Sequence, residues 1–509
     1  MKRSVSLLLC LALILAFFPG RVRAEEDSLF TDRDLRQEAD LTDAETIRLG
    51  GQSVTIDHAG VFLLSGSLEN GQILVQAGEE DKVQLVLDGV NIQTKLGPAI
   101  EVASADKVFI TLASGSENSL SSDAFSEDGG SGVIYSKSDL TLNGSGQLTL
   151  SAQGGSGIVC KDTLAITGGS YTVQADGHGI SGKDALNIAS GSFSITTGGG
   201  STAVTMKASE EFGTWGFSRG NATVSADTQE EENEVKAKGL KSDGPITVLD
   251  GSFLLDCADD ALHAGGDITL SGGSWTIRTA DDGIHSDENV TIGGGSFEIP
   301  DCYEGVEGKN VTMDDGSLTI NSTDDGINAT GEDAPTGFRV PGMDTGAVIT
   351  VNGGEITVVS GGDSLDSNGT IVLNGGTVNL TCNSAGKGNT ALDSETGVTN
   401  NGAEVTTNDG SEQGGGMRGF GGGKGQMADP REQEGSSGSP FGGPFPGNGR
   451  QWPGNAPAGE DGQSSATPER EGQLPANTDA VPSEGCACPS GSCGCIDNGG
   501  CACPFQTVG

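Results

Sequence analysis

Aromatic residues make up only 4% of this 509-residue sequence, with three Trp and three Tyr. That scarcity excludes a broad aromatic platform of the kind on which neutral glycans stack. Cationic residues are also few: 27 Lys and Arg face 71 Asp and Glu, for a formal charge of −44. Phosphate recognition needs clustered Lys and Arg, so nucleic acid and anionic membrane are excluded as partners. An acidic surface suits divalent cations, and it equally serves solubility. Four His leave little for a zinc centre, which needs a tight His or Cys set. No HExxH, phosphate loop or nucleophile motif occurs. The only long apolar run, Leu7 to Phe18, follows Lys2-Arg3 and precedes Val22-Arg23-Ala24. It reads as a secretory signal over residues 1–24, too short to span a bilayer. No integral membrane span is expected, and the protein is expected to be exported, extracellular or held at the cell surface. Loss of Lys2, Arg3, Arg21 and Arg23 with the signal takes the charge from −44 to −48.

Glycine, by contrast, is abundant, with 85 residues, and it punctuates a repeat. Gly169-Ser170-Tyr171 recurs as Gly191-Ser192-Phe193; Gly251-Ser252-Phe253 recurs as Gly273-Ser274-Trp275, Gly295-Ser296-Phe297 and Gly316-Ser317-Leu318. A fixed period of about 22 residues predicts a stacked architecture. One repeat, from Gly283 to Ile299, reads as three short β-branched runs separated by turns. At roughly 3.3 Å per residue the perimeter is about 70 Å, which fits a right-handed, three-sided parallel β-helix with coils about 4.8 Å apart. The expected organisation is signal peptide 1–24, polar segment 25–45, β-helix 46–409 in roughly 16 coils, a Gly/Pro/Ser-rich linker 410–485 and a cysteine-rich tail 486–509. Insertions interrupt the period at 208–236 and 330–347. Phe253, Trp275 and Phe297 share a phase and are expected to stack inside.

Stacking turns any phase into a column. The aliphatic column Leu240, Leu262, Ile284, Val306, Ile327, Leu365 is core. Two residues earlier stand Lys238, Asp260, Asp282, Glu304, Asp325 and Asp363; one residue before those stand Asp259, Asp281, Tyr303 and Asp324; one residue after the aliphatic stand Lys241, His263, His285, Glu307, Asn328, Asp366 and Asp393. Asp before Gly is ordinary turn chemistry. Carboxylates about 4.8 Å apart, however, repel by about 3 kcal/mol per neighbour at an effective dielectric near 20. Oxygen-rich clusters select hard cations, Ca²⁺ above all. Asp259, Asp260, Asp281, Asp282, Glu304, Asp324, Asp325, Asp363 and Asp366 are therefore candidate metal ligands. His178, His263 and His285 read as surface polar residues. Lys238 and Lys241 adjoin the acidic block. They are candidate sugar contacts together with Tyr303 and Trp215, and in a lyase they would be the base that abstracts a proton beside the metal.

Ten cysteines remain after the signal. Cys160, Cys257, Cys302 and Cys382 lie in the repeats, and six lie between Cys486 and Cys503. The tail cluster is either a disulfide knot, with fifteen pairings open, or a soft-metal site.

Lys238-Gly239-Leu240-Lys241-Ser242-Asp243-Gly244, Asp281-Asp282-Gly283-Ile284 and Gly362-Asp363-Ser364-Leu365-Asp366-Ser367-Asn368-Gly369, with the Gly-Gly-Ser/Thr punctuation, resemble the secreted carbohydrate-binding β-helix family of clostridial and related bacteria. The early stretch through Val83–Val90 and Ala105–Val108 is similar to that family's opening coils. The likeness covers roughly residues 50–425. It implies a Ca²⁺-containing right-handed parallel β-helix, similar in fold to pectate lyases, that binds plant-wall glycans including acidic pectic chains and cellulose. Tyr303-Glu304 departs from the family pattern, and the cysteine tail has no counterpart in it. The expected function is calcium-dependent binding of acidic polysaccharide such as polygalacturonate, by a monomer and without catalysis. A calcium-dependent pectate lyase and a structural or adhesive surface solenoid are the alternatives.

Overall fold

The computed structural model describes residues 29–95, 97–125, 131–204, 236–331 and 344–413. The signal segment, Trp215 with most of its insertion, and the linker and cysteine tail beyond residue 413 lie outside the described residues. Strands run from Glu45–Leu49 to Glu404–Thr407, and among the described residues the only helical element is a single 3₁₀ turn at Ser411–Gln413.

Each regular repeat contributes three strands. In one, Leu262–Ala264, Ile268–Leu270 and Ser274–Thr279 follow one another; in the next, Ile284–Ser286, Asn289–Ile292 and Ser296–Cys302. Every strand pairs in parallel with its counterpart in the next repeat. The first strands form a 13-stranded sheet, and the second and third belong to a 25-stranded sheet. Parallel pairing at this spacing is what a coiled solenoid requires, since parallel strands need a crossover between them. Thirteen first strands are fewer than the roughly 16 coils expected. The next coils after the first are longer than 22 residues, with Ile73 paired to Ile100 and Ile100 to Ile134, and two insertions consume sequence. Both insertions leave the register intact: Ile180 pairs with Leu240 and Ile327 with Leu365.

Alternation decides what faces inward. In the first strands the outer two residues are buried and the middle one is partly exposed, as in Leu262-His263-Ala264. One residue per coil therefore projects outward from this sheet, and its counterparts stack above and below. In the third strands Phe253, Trp275 and Phe297 point inward and stack as expected, with ring centroids 3.6 Å apart for Phe253–Trp275 and 5.5 Å for Trp275–Phe297. The stack continues through Phe193 to Tyr171. Trp275 Nε1 donates to Gly272 O at 3.1 Å, so its polar atom is satisfied inside. Its burial excludes sugar stacking. Glycine before the third strand has a steric cause: at Gly295, with φ near +99°, a Cβ would lie 2.7 Å from Gly273 O. Cys160, Cys257, Cys302 and Cys382 are free thiols in the core.

The expected polar segment before the first strand is partly packed. Asp34 is buried, accepts from Thr141 Oγ1 at 2.6 Å and pairs with Lys107 Nζ at 2.9 Å. Arg33 lies over the Phe109 ring at 4.2 Å. These contacts cover outward residues of the second strands.

Candidate functional site

Turns entering the first sheet extend its ladder by one more backbone bond per coil. Gly239 N donates to Asp260 O, Ala261 N to Asp282 O, Gly283 N to Glu304 O, Gly305 N to Asp325 O and Gly326 N to Asp363 O, at 2.9–3.2 Å. The acidic residues are thereby held in a stacked column, as their common phase predicts. Beside it runs the outward column Lys241, His263, His285, Glu307, Asn328, Asp366, Asp393, in register by strand pairing.

Turn chemistry accounts for one oxygen of most carboxylates. Asp260 Oδ1 accepts from Asp282 N at 3.1 Å, Asp282 Oδ1 from Glu304 N at 3.3 Å and Asp325 Oδ1 from Asp363 N at 2.6 Å; Asp363 Oδ1 accepts from Thr390 N. Glu304 has one more methylene, and it accepts instead from Asn328 Nδ2 at 3.2 Å. The departure at Tyr303-Glu304 thus changes the hydrogen-bond pattern while Glu304 stays in the column. Tyr303, half-buried, continues the backbone ladder between Asp281 and Asp324.

The second oxygens divide the column in two. In the first half they meet a lysine and two imidazoles of the chain itself. Lys238 Nζ lies 2.9 Å from Asp259 Oδ1 and 2.7 Å from Asp260 Oδ2, with its side chain 12% exposed. His263 Nδ1 is 2.9 Å from Asp260 Oδ2, and His285 Nδ1 is 3.0 Å from Asp282 Oδ2 and 3.1 Å from Glu307 Oε2. The histidines are therefore members of the site, not the surface polar residues the sequence suggested. The overlooked signal was the repeated Asp-x-x-His of Asp260–His263 and Asp282–His285, which puts each imidazole over the carboxylate of its own turn. Lys238, a candidate sugar contact and the base only in a lyase, is held in ion pairs with both neighbouring carboxylates. Although burial opposes its charge, Asp260 and Asp259 raise its pKa above the ordinary lysine value, so the amine stays protonated and engaged. Lys241 pairs with Asp243. His178, one coil before Lys238, is pushed down to about 4 by burial and nearby cations. Its neutral Nδ1 accepts from Lys238 N at 3.1 Å.

The second half contains no such cation. Among the described residues, none of the ion pairs involves Glu304, Asp324, Asp325, Asp363, Asp366 or Asp393. Burial, then repulsion from Asp324, pushes Asp325 up to about 7. Burial, then repulsion from Asp325 and Asp393, pushes Asp363 up to about 8. Glu304 and Asp366 are raised well above the carboxylate range, first by burial and then by their acidic neighbours. Asn328 Oδ1, in the outward column between Glu307 and Asp366, is buried and accepts no hydrogen bond. An unpaired buried oxygen costs about 1–3 kcal/mol. Register places Asn328 beside Glu307 and Asp366, and oxygen donors of this kind suit a hard cation such as Ca²⁺.

Two relatives are similar to parts of this chain. A carbohydrate-binding domain-containing protein of Acetivibrio thermocellus is 41% identical over 130 residues, covering 24% of this chain and 46% of the relative. The match thus spans about half of that relative's length. A solved structure of a polysaccharide lyase-like protein from C. thermocellum, a gadolinium derivative, is 27% identical over 49% of this chain and 85% of that chain, with a TM-score of 0.34; so loose a superposition says nothing of the site. No helix among the described residues is long and apolar enough to cross a membrane. A family model for carbohydrate-binding domain-containing proteins matches residues 50–229, 216–283 and 280–415. With most of the solenoid covered, the chain belongs to that carbohydrate-binding family.

Proposed function

We propose that this chain is an extracellular, calcium-dependent binder of acidic polysaccharide such as polygalacturonate, acting without catalysis. The observation that carries this reading is the uncompensated half of the column: Glu304, Asp325, Asp363 and Asp366, stacked and half-buried with no cation of the chain among them. Asp325, Asp363, Asp366 and the Asn328 carbonyl are the groups that would hold Ca²⁺, with Asp324 and Asp393 alongside. A bound divalent ion supplies positive charge that both the protein carboxylates and a uronate can share. Asp259, Asp260 and Asp282 leave the set of calcium ligands in this reading, because Lys238, His263 and His285 already pair with them. Parallel crossovers are right-handed in nearly all cases, and three strands per repeat support a right-handed, three-sided β-helix. The first sheet would then present the column as one continuous strip for an extended glycan.

A lyase needs a base able to give up its proton near neutral pH. The ion-paired Lys238 ammonium is poorly suited to that work, which favours the binder. The deciding experiment is co-sedimentation with polygalacturonate in Ca²⁺ and in EDTA, with ultraviolet detection of unsaturated uronate. Binding in Ca²⁺ that EDTA and Asp325→Asn/Asp363→Asn each weaken at least tenfold, without product, supports the proposal. Steady formation of unsaturated product overturns it in favour of the lyase; no binding in Ca²⁺ also overturns it.

A further inference from the structure

We propose a second metal site on the same sheet, different in chemistry from the oxygen-only half: Asp282, His285 and Glu307 bind a borderline transition ion of the Zn²⁺ or Co²⁺ kind in preference to Ca²⁺. His285 is the outward residue of its first strand, and Glu307 is its register partner one coil on. Asp282 lies three residues earlier, in the turn that feeds the strand. The three donor atoms lie within 4.8 Å of one another. His285 Nδ1 is 3.0 Å from Asp282 Oδ2 and 3.1 Å from Glu307 Oε2. A tetrahedral ion with bonds of 2.0–2.1 Å separates its ligands by about 3.3 Å, so Nδ1 and each of the two oxygens need to spread by only a few tenths of an ångström.

Two further observations point to an ion there. Nδ1 carries at most one hydrogen, yet two carboxylate oxygens converge on it. A single proton cannot make two strong bonds in those directions, whereas a divalent ion serves both oxygens and the nitrogen together. The other ring nitrogen, Nε2, lies 3.5 Å from Asp287 Oδ1. A carboxylate on the far nitrogen is the arrangement that fixes a ligating imidazole, and an ion that displaces the Nδ1 proton to solvent takes Nδ1 as its donor. His263 stacks on His285 with ring centroids 4.9 Å apart. Its Nδ1 is turned to Asp260, whose Oδ2 also holds Lys238 at 2.7 Å, so the preceding coil is saturated and the site ends there. Imidazole nitrogen suits Zn²⁺ and its neighbours, while Ca²⁺ takes six to eight oxygens. The two halves of the column would then accept different metals.

The test uses the full chain with accessible thiols reduced and alkylated, so that the cysteine tail takes no metal. Co²⁺ is titrated in millimolar Ca²⁺ and followed by visible absorption and equilibrium dialysis. One Co²⁺ should bind in the presence of Ca²⁺ and be displaced by Zn²⁺. His285→Gln and Glu307→Gln should each weaken it at least tenfold, and Asp366→Asn should not. Circular dichroism melts verify that each variant is folded. Absence of Co²⁺ binding, its displacement by Ca²⁺, or its persistence in both folded variants overturns the proposal. A separate Ca²⁺ titration of the same proteins distinguishes this failure from failure of the calcium reading.

Discussion

An ammonium 2.7 and 2.9 Å from two buried carboxylates occupies, at Lys238, the place a divalent ion would take at the edge of the column. Removing one partner of a buried pair costs about 3–5 kcal/mol, because the charge left behind is uncompensated. Lys238→Met should therefore lower the melting temperature in EDTA, and Ca²⁺ should restore it through the vacated Asp259–Asp260 pair. Differential scanning calorimetry with and without Ca²⁺ checks this, and a loss that Ca²⁺ leaves untouched would refute it. The opposite half responds to pH. Asp325 at about 7 and Asp363 at about 8 stand above the unfolded carboxylate value near 4. Between those limits the folded state binds more protons than the unfolded, so stability falls as pH rises from about 4 to about 8. Asp260, held below the ordinary value by His263 and Lys238 despite its burial, acts in the other sense, but only at the acid end. Metal-free protein should thus melt at lower temperature at pH 8 than at pH 5.5. Saturating Ca²⁺ should remove most of that difference, since a ligand of the folded, ionised state offsets the repulsion. A melting temperature independent of pH in EDTA would count against the charge-repulsion account.

The third strands hold the solenoid together through a line of rings. Trp275, fully buried between Phe253 and Phe297, should cost about 3–5 kcal/mol when replaced by Ala, and well under half of that when replaced by Phe. Urea denaturation monitored by circular dichroism checks both, and equal costs would mean that stacking contributes little. This part of the fold was legible in the sequence because a ring every 22 residues leaves a visible phase. So were the aliphatic column and the acidic one, which share that period. Legibility failed where side chains meet across coils. That Lys238 lies at the phase of Asp260 was readable; that its ammonium would fold back between Asp259 and Asp260 was not, because phase gives position and not direction. His263 and His285 were misjudged for the same reason; the packing of Asp34 left no trace in the sequence, because its partners Lys107 and Thr141 are distant and share no period with it. Coil count was overestimated because early strands run on, as in Gly60–Glu69 and Lys82–Thr94, and because the insertions add sequence without adding a coil.

At the scale of the whole chain, a formal charge of −44 sets the conditions for meeting a polyanion. Polyuronate and protein repel unless cations lie between them, and added salt screens that repulsion. In EDTA, residual affinity for polygalacturonate should therefore rise with NaCl, opposite to the behaviour of a basic polysaccharide binder. Affinity electrophoresis at two salt concentrations measures it, and a fall with NaCl would argue against repulsion as the barrier. The chain's amides add another property. Asp325 Oδ1 accepts from the Asp363 amide of the following coil, and Asp363 Oδ1 from Thr390 of the coil after that. Asp260 and Asp282 do the same for Asp282 and Glu304, so in this column the inward-turned carboxyl oxygen fastens the coil that follows. These side-chain bonds have a polarity: loss of a carboxylate frees the amide of the coil after it. Asp325→Ala should speed hydrogen exchange at the Asp363 amide while the Glu304 amide, fastened by Asp282, keeps its protection. Backbone bonds of the same turns run the other way, from Gly305 N to Asp325 O and from Gly326 N to Asp363 O, so each rung is clasped to the next by its carboxylate and by its amide at once.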